Sequence, residues 1–201
     1  MTIIDRQEGT VKYIPRLWVT ALALVGLSLG AAALPSQAVE SSAATACPTG
    51  WGSTPKSRAV STTASLANAR TARHECFDRI VIDIPGVRAN GLGYSVTYVD
   101  QLHQHGSGRP IPLSGSAVIE VVVNAPAYDV SSGKPTYHAT PGLRLPGVSL
   151  TGYRTFRDAR YAGSFEGQTQ IGLGIRARLP FRVLPLDGRV VVDVAHNWTG
   201  S

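Results

Sequence analysis

The residues best suited to hold a metal ion in this sequence are His103 and His105. Alternate residues of a strand project to the same face, so both imidazoles could reach one cation. A third and a fourth ligand are not evident, and His138 and His196 are the remaining candidates. The glycines that follow His105 favour a polar loop over a metal site, and we expect no cofactor.

Carboxylates are the second residue type that could do chemistry. Glycoside cleavage needs two of them, one acting as a proton donor, and the candidates are Glu166, Asp158 and Asp193. However, Asp83 and Asp193 each lie in an apolar segment near an arginine, which favours structural ion pairs. We therefore expect a protein that is not an enzyme, with an unrecognised hydrolase or metal-dependent enzyme as the remaining alternative.

Aromatic and arginine side chains suit recognition better than catalysis. Aromatic rings pack on sugar rings, and the arginine fork binds carboxylates or phosphates. The alternative is that the alternating tyrosines line a core or a cross-strand ladder. The candidate ligand contacts are Arg79, Tyr94, Tyr98, Phe165, Glu166 and Arg176.

The segments that carry these residues alternate apolar and polar side chains, as β-strands do. Ile80, Ile82 and Ile84 share one face of their segment, and residues 118–123 have the β-branched composition of a central strand covered on both faces. Residues 68–76 could instead form a turn or two of helix, and 51–58 are predicted to be irregular. Strands are predicted over residues 65–73, 77–84, 94–99, 118–123, 157–165, 169–179, 181–186 and 189–195.

The turns between these strands complete the fold prediction. Asp187 and Gly188 are typical of a type I′ hairpin turn. Pro185 predicts that the first strand of this hairpin either lies at a sheet edge or bends at the proline. Residues 125–147 are rich in proline and glycine and predict a long loop, either functional or poorly ordered. Glycines within the later strands indicate bulges or close backbone approach. The fold class is all-β, a sandwich of two small, mostly antiparallel sheets.

The N-terminus has the order of a secretory signal peptide. Three basic residues precede an apolar run, and residues 36–38 fit the small-x-small cleavage pattern. A retained membrane anchor is the alternative, but the run is short for a span. Residues 1–38 are therefore predicted to be the signal peptide, 39–50 a flexible leader and 51–198 one domain.

Export places Cys47 and Cys76, the two cysteines of the chain, in an oxidising environment, where an even number of cysteines predicts a disulfide. The formal net charge is +6, and only Lys56 and Lys134 are lysines beyond the signal. A basic exported protein favours anionic partners such as wall polymers. Nucleic acid is not expected, since no basic run or aromatic-basic motif supports it.

Four segments are typical of one known family: residues 76–83, 94–99, 163–169 and 181–194. Together they resemble the AMIN-like domain of secreted actinobacterial proteins. The resemblance covers essentially all of residues 51–198, and its last segment is also similar to the strand that closes the AMIN domain proper. It implies a β-sandwich with an envelope-targeting role; since no second domain follows in the sequence, we expect a stand-alone module.

The expected function is that of a non-catalytic, secreted, wall-associated module that binds peptidoglycan or an attached anionic wall glycan. The alternative partner is an envelope protein that pairs with an exposed sheet edge near Pro185, or with the 125–147 loop. Contact with a membrane is expected only through the signal segment, if it is not cleaved.

Overall fold

The computed structural model describes residues 46–198, and its regular structure is almost entirely β. Within this part of the chain, one short 3-10 helix, Ala89–Gly91, is the only helical element. The strands are β1 Lys56–Arg58, β2 Asn68–Arg73, β3 Phe77–Asp83, β4 Tyr94–Val99, β5 Leu102–His103, β6 Pro110–Ile111, β7 Ala117–Val123, β8 Phe156–Phe165, β9 Gln168–Ile175, β10 Phe181–Leu186 and β11 Arg189–Ala195.

Five strands form the larger sheet in the order β1-β4-β7-β9-β8, with every neighbouring pair antiparallel. The central strand is β7. Its residues Ile119, Val121 and Val123 are buried on the inner face, while Val118 packs on the outer face against a small cluster around Leu102. The strand is central, as predicted, but its outer face is only partly covered, since Val118, Glu120 and Val122 are half-buried.

Four strands form the second sheet in the order β10-β11-β3-β2, again antiparallel throughout. Two hairpins, β2–β3 and β10–β11, meet along the β3–β11 pair, where Ile80 lies opposite Val192. β10 has one strand neighbour in this sheet, so the edge position predicted from Pro185 is confirmed.

The two sheets pack face to face around one hydrophobic core, which confirms the all-β sandwich. Period-two alternation in the sequence places the apolar side chains of each strand on its inner face. Side chains from both sheets are almost fully buried there, among them Ile80, Ile82, Ile84, Phe156, Ile171, Leu173, Phe181, Val190 and Val192.

A two-stranded hairpin, β5–β6, lies on the outer face of the larger sheet. It can approach closely because β9 carries glycines there: a Cβ at Gly172 would overlap Leu102, and one at Gly174 would overlap the carbonyl oxygen of Ser114. The prediction that strand glycines mark close backbone approach is confirmed, and the reason is this overlying segment.

The first strands differ from the prediction. Residues 68–73 form β2, so the strand predicted over 65–73 exists but is shorter, and the helical alternative for residues 68–76 is wrong. Residues 56–58, predicted to be irregular, form β1 and pair with Tyr94–Val96 of β4. A three-residue strand is too short to show alternation in the sequence. β1 forms because it pairs with β4.

The type I′ turn lies in a different hairpin from the one predicted. In the β8–β9 turn both central residues, Glu166 and Gly167, have positive φ (48° and 76°), as a type I′ turn requires. In the β10–β11 turn only Gly188 does, at 75°, so the type I′ prediction for Asp187 is wrong. The Asp187 carboxylate instead accepts a hydrogen bond from the backbone N–H of Ala89 at 2.9 Å, which fixes that turn from outside.

Residues 125–147 form none of the named strands, as predicted, but they are packed into the fold. Ala127, Tyr137 and Leu145 are buried in the core. The segment also runs beside β8, where Leu145 donates a backbone hydrogen bond to Ala159 at 3.0 Å. This covers an otherwise exposed sheet edge and argues against the poorly ordered alternative.

The predicted signal peptide, residues 1–38, and the first part of the predicted leader lie outside the described residues. Among residues 46–198, no helix has the length and hydropathy needed to cross a membrane. The limits of the predicted domain at residues 51 and 198 stay a prediction.

Candidate binding surface

A cluster of aromatic rings and guanidinium groups lies on the outer face of the four-stranded sheet. The ring centroids of Trp51 and Phe77 are 5.5 Å apart. The guanidinium carbon of Arg182 lies 4.4 Å from the Trp51 ring centroid and 5.5 Å from that of Phe77. His74 stacks on Phe77 at 4.4 Å, and Arg79 approaches the same ring at 5.2 Å. We call these five residues the platform.

One buried carboxylate holds both platform arginines in place. Asp193 is fully buried, and its oxygens accept hydrogen bonds from Arg79 at 2.6 and 2.9 Å and from Arg182 at 2.8 Å. The hydrogen bond to Asp193 raises the pKa of Arg79 above its ordinary value. Two cations share one anion, so the cluster keeps a net positive charge and its arginine forks are pre-oriented.

The disulfide predicted between Cys47 and Cys76 is present, with Cα atoms 5.4 Å apart. Cys76 immediately precedes Phe77, and Trp51 follows Cys47 by four residues. The bond therefore brings the segment that carries Trp51 to the end of the β2–β3 hairpin. Trp51 and Phe77 were missed as candidates, although their spacing from the two cysteines is a signal that could have found them.

The six predicted contact residues do not form one site. Arg79 belongs to the platform, whereas Tyr94 and Tyr98 point from β4 toward the core. The Tyr98 hydroxyl donates to the carbonyl of Leu179 and accepts from its N–H, both at 2.8 Å. Burial raises the pKa of Tyr98. Both tyrosines thus pack against the core, and Tyr98 also lines a cleft of the larger sheet.

The other three predicted contacts lie elsewhere. Phe165, 48 % exposed, and Glu166 are at the β8–β9 turn. The Phe165 ring packs edge-on against His105 at 5.9 Å. Arg176 donates hydrogen bonds to the carbonyl of His196 and, at 3.4 Å, to the side-chain oxygen of Asn197. None of these three residues belongs to the platform.

The histidines considered as metal ligands are also dispersed. His103 and His138 are exposed, and His105 is half-buried beside Phe165. His196 is buried, and its two ring nitrogens face Asp78 and the carbonyl of Glu75. No group of three or more metal-ligating side chains lies together within residues 46–198.

The carboxylates considered for acid–base chemistry are held in ion pairs or lie at a turn. Asp158 is buried against Arg160 at 2.8 Å. Asp83 pairs with Arg70 at 2.9 Å, and Asp193 with the platform arginines, so the expectation of structural ion pairs for Asp83 and Asp193 is confirmed.

A cleft of about 700 Å³ opens on the outer face of the larger sheet, beside the β5–β6 hairpin. Its apolar lining includes Val99, Val118 and Leu113, and its polar lining includes Arg178. β1 pairs with β4 only as far as Val96, so residues 97–99 have no strand neighbour on that side among the described strands. The cleft therefore borders an open stretch of sheet edge.

The family model of the AMIN-like domain matches residues 64–196. The match spans every strand from β2 to β11, and thus both sheets of the sandwich. It begins after Trp51, so one ring of the platform lies outside the matched residues while the other four residues lie within them. No curated protein and no solved structure matches the chain.

Proposed function

Because the chain belongs to the AMIN-like domain family, a family of envelope-associated modules without catalytic activity, we propose that it binds peptidoglycan or an anionic glycan attached to it. The family and the disulfide together indicate an extracytoplasmic location. Secretion through the predicted signal peptide is part of the proposal.

The observation that carries this proposal is the platform. The half-buried rings of Trp51 and Phe77 keep some exposed apolar surface, of the kind that packs on sugar rings. Arg79 and Arg182 are oriented beside them by Asp193 and offer N–H groups to carboxylate or phosphate oxygens. Because the disulfide fixes Trp51 beside Phe77, little ordering is needed on binding, which favours affinity.

Co-sedimentation with purified cell walls tests the proposal. The oxidised protein is mixed with walls before and after their anionic polymers are stripped, at low and at high salt. We expect retention on both kinds of wall, weaker at high salt because exposed charges are screened. If the protein stays in the supernatant under every condition, the proposed function is wrong.

A pair of tryptophan variants assigns the retention to a surface. Trp51→Ala removes one platform ring and should weaken retention about tenfold, equivalent to about 1.4 kcal/mol of binding free energy. Trp198→Ala is the matched control: Trp198 is 59 % exposed and hydrogen-bonds to Arg178 instead of a platform residue. Equal effects of the two substitutions would argue against the platform.

A second candidate function is binding of an envelope protein, and the cleft on the larger sheet favours it. An extended segment of a partner could pair with residues 97–99 of β4 while its side chains enter the cleft. A photo-crosslinker at Gln101, which lines the cleft, should then capture one stoichiometric protein from intact envelopes. The same label at Lys134, an exposed residue outside the cleft, is the control; equal capture from both positions would contradict this candidate.

A further inference from the structure

A pocket of about 310 Å³ adjoins the platform at the tip of the β2–β3 hairpin. His74 belongs to both, since it lines the pocket and stacks on Phe77. The pocket is otherwise lined by Arg73, Glu75, Asp78, Gly152 and Arg154.

Two guanidinium groups of this pocket are not neutralised. Other arginines pair with aspartates, as Arg70 does with Asp83 and Arg160 with Asp158. Arg73 and Arg154 form no ion pair with any residue of the described part of the chain. Their N–H groups are therefore available to an anion from solution.

Both arginines are nevertheless held in position. The Arg73 guanidinium rests on Gly152, where a Cβ would come within 2.6 Å of its Nη1, and lies 6.0 Å from the Tyr153 ring centroid. Arg154 donates to the backbone carbonyl of Glu75 at 3.3 Å. Because Glu75 precedes the disulfide-bonded Cys76, the covalent bond anchors this end of the pocket as well.

The acidic residues of the pocket do not cancel this charge. Asp78 is buried, and its carboxylate accepts hydrogen bonds from the backbone N–H groups of Thr155 and Phe156 and faces His196. Glu75 is exposed at the rim and opposes two arginines. An entering anion thus meets two pre-oriented cations and one competing carboxylate.

We propose that this pocket binds the anionic group, phosphate or carboxylate, of the same wall polymer whose sugar rings lie on the platform. The inference rests on the proposed function. It adds that the ligand is a charged glycan that the protein contacts at two adjacent places. The sugar rings pack on Trp51 and Phe77, and the anionic group lies between Arg73 and Arg154.

Titration calorimetry tests the proposed anion site of the pocket. It measures binding of a soluble poly(glycerol phosphate) chain to the oxidised protein at low salt. Arg73→Gln and Arg154→Gln should each weaken binding about tenfold, since each removes a charge-assisted contact. Glu75→Gln should strengthen it severalfold. Arg88→Gln is the control: it removes the same charge from an exposed arginine beyond the opposite end of β3.

Opposite effects of the Glu75 and arginine substitutions, with no effect at Arg88, are the expected result. Equal weakening by Arg73→Gln, Arg154→Gln and Arg88→Gln would overturn the pocket, because binding would then follow net charge alone. A polyuronate chain, as the carboxylate probe, should follow the same order as the phosphate chain.

Two further experiments distinguish failure of the pocket inference from failure of the proposed function. Vesicles with 30 % phosphatidylglycerol present the same phosphate chemistry on a lipid, and binding to them but to neither polymer would overturn the glycan assignment. Walls that keep their anionic polymers test the platform. If Trp51→Ala weakens retention on these walls while the pocket variants leave polymer binding unchanged, the pocket inference fails and the proposed function stands.

Discussion

The Nε2 atom of His196 lies 3.1 Å from the Oδ1 atom of Asp78, and both side chains are almost fully buried. The Nδ1 atom of the same imidazole is 3.0 Å from the carbonyl oxygen of Glu75. Both ring nitrogens thus face oxygen atoms of the β2–β3 hairpin. The contact joins the last strand to the β2–β3 hairpin.

The first prediction follows from this contact. Removing one partner of a buried hydrogen bond leaves the other partner unsatisfied, which typically costs about 1–3 kcal/mol. We expect His196→Ala or Asp78→Ala to lower the free energy of unfolding by that amount, as measured by urea denaturation. Asp83→Ala is the control, since it breaks a pair whose arginine side chain is 47 % exposed and should cost less than about 1 kcal/mol. Equal losses would mean that His196 is not a core contact.

The disulfide gives the second prediction. Cys47 and Cys76 are 29 residues apart, so closing the loop should contribute about 3–4 kcal/mol through the entropy of the unfolded chain. Replacing both with serine should lower the free energy of unfolding by that amount. Since the bond also positions Trp51, wall retention should fall at temperatures at which the variant is still folded. Retention equal to that of the native protein would show that Trp51 is positioned without the bond.

The third prediction concerns Tyr137, whose hydroxyl is buried without a hydrogen-bond partner among residues 46–198. Tyr137→Phe removes this unsatisfied group and should raise the free energy of unfolding by about 1 kcal/mol. In Tyr98→Phe the same change breaks two hydrogen bonds to Leu179, so stability should fall. A loss of stability in both variants would contradict the burial argument.

Tyr137 also gives a pH prediction. Burial raises its pKa to about 12, from 10.0 in the unfolded chain. The folded state favours the neutral phenol over the phenolate. The stability that the neutral Tyr137 contributes is therefore fully present below pH 10 and is lost as the pH rises toward 12. An absorbance titration of tyrosinate should show one late-titrating tyrosine fewer in Tyr137→Phe. An unchanged titration curve would assign the late group to another tyrosine.

The β8–β9 turn gives the last prediction. Glu166 has a φ of 48°, a conformation that costs most residues about 1–2 kcal/mol and that asparagine tolerates. Glu166→Asn should therefore raise the free energy of unfolding by about 0.5–1 kcal/mol, and Glu166→Val should lower it. Wall retention of the folded asparagine variant then tests the predicted ligand contact: unchanged retention assigns Glu166 to the turn alone.

Much of the fold was predictable because the alternation of apolar and polar residues shows which side chains share a face of a strand. Ile80, Ile82 and Ile84 fall on one face by alternation alone, and export with two cysteines was sufficient for the disulfide. The type of the turn at Asp187 could not be predicted in this way, since its carboxylate binds the backbone N–H of Ala89, 98 residues away in sequence. Local sequence does not encode such a contact.

The candidate site was less predictable than the fold. Of the six predicted contacts, only Arg79 lies in the platform, because alternation gives the face of a strand but not what covers that face. Tyr98 alternates as a ligand-binding residue would, yet it points inward to Leu179. Trp51 lies in a segment without any alternation, and only its distance from Cys47 in the sequence connects it to Phe77.

The close approach of the β5–β6 hairpin to β9 has an evolutionary consequence. Positions 172 and 174 carry no side chain because Leu102 and the backbone of Ser114 occupy that space. A larger residue at 172 is compatible with the fold only if position 102 becomes smaller, so these two positions should covary among homologues. Position 174 faces main chain, which no compensating substitution can shorten, and we expect it to stay glycine wherever the overlying segment keeps its length.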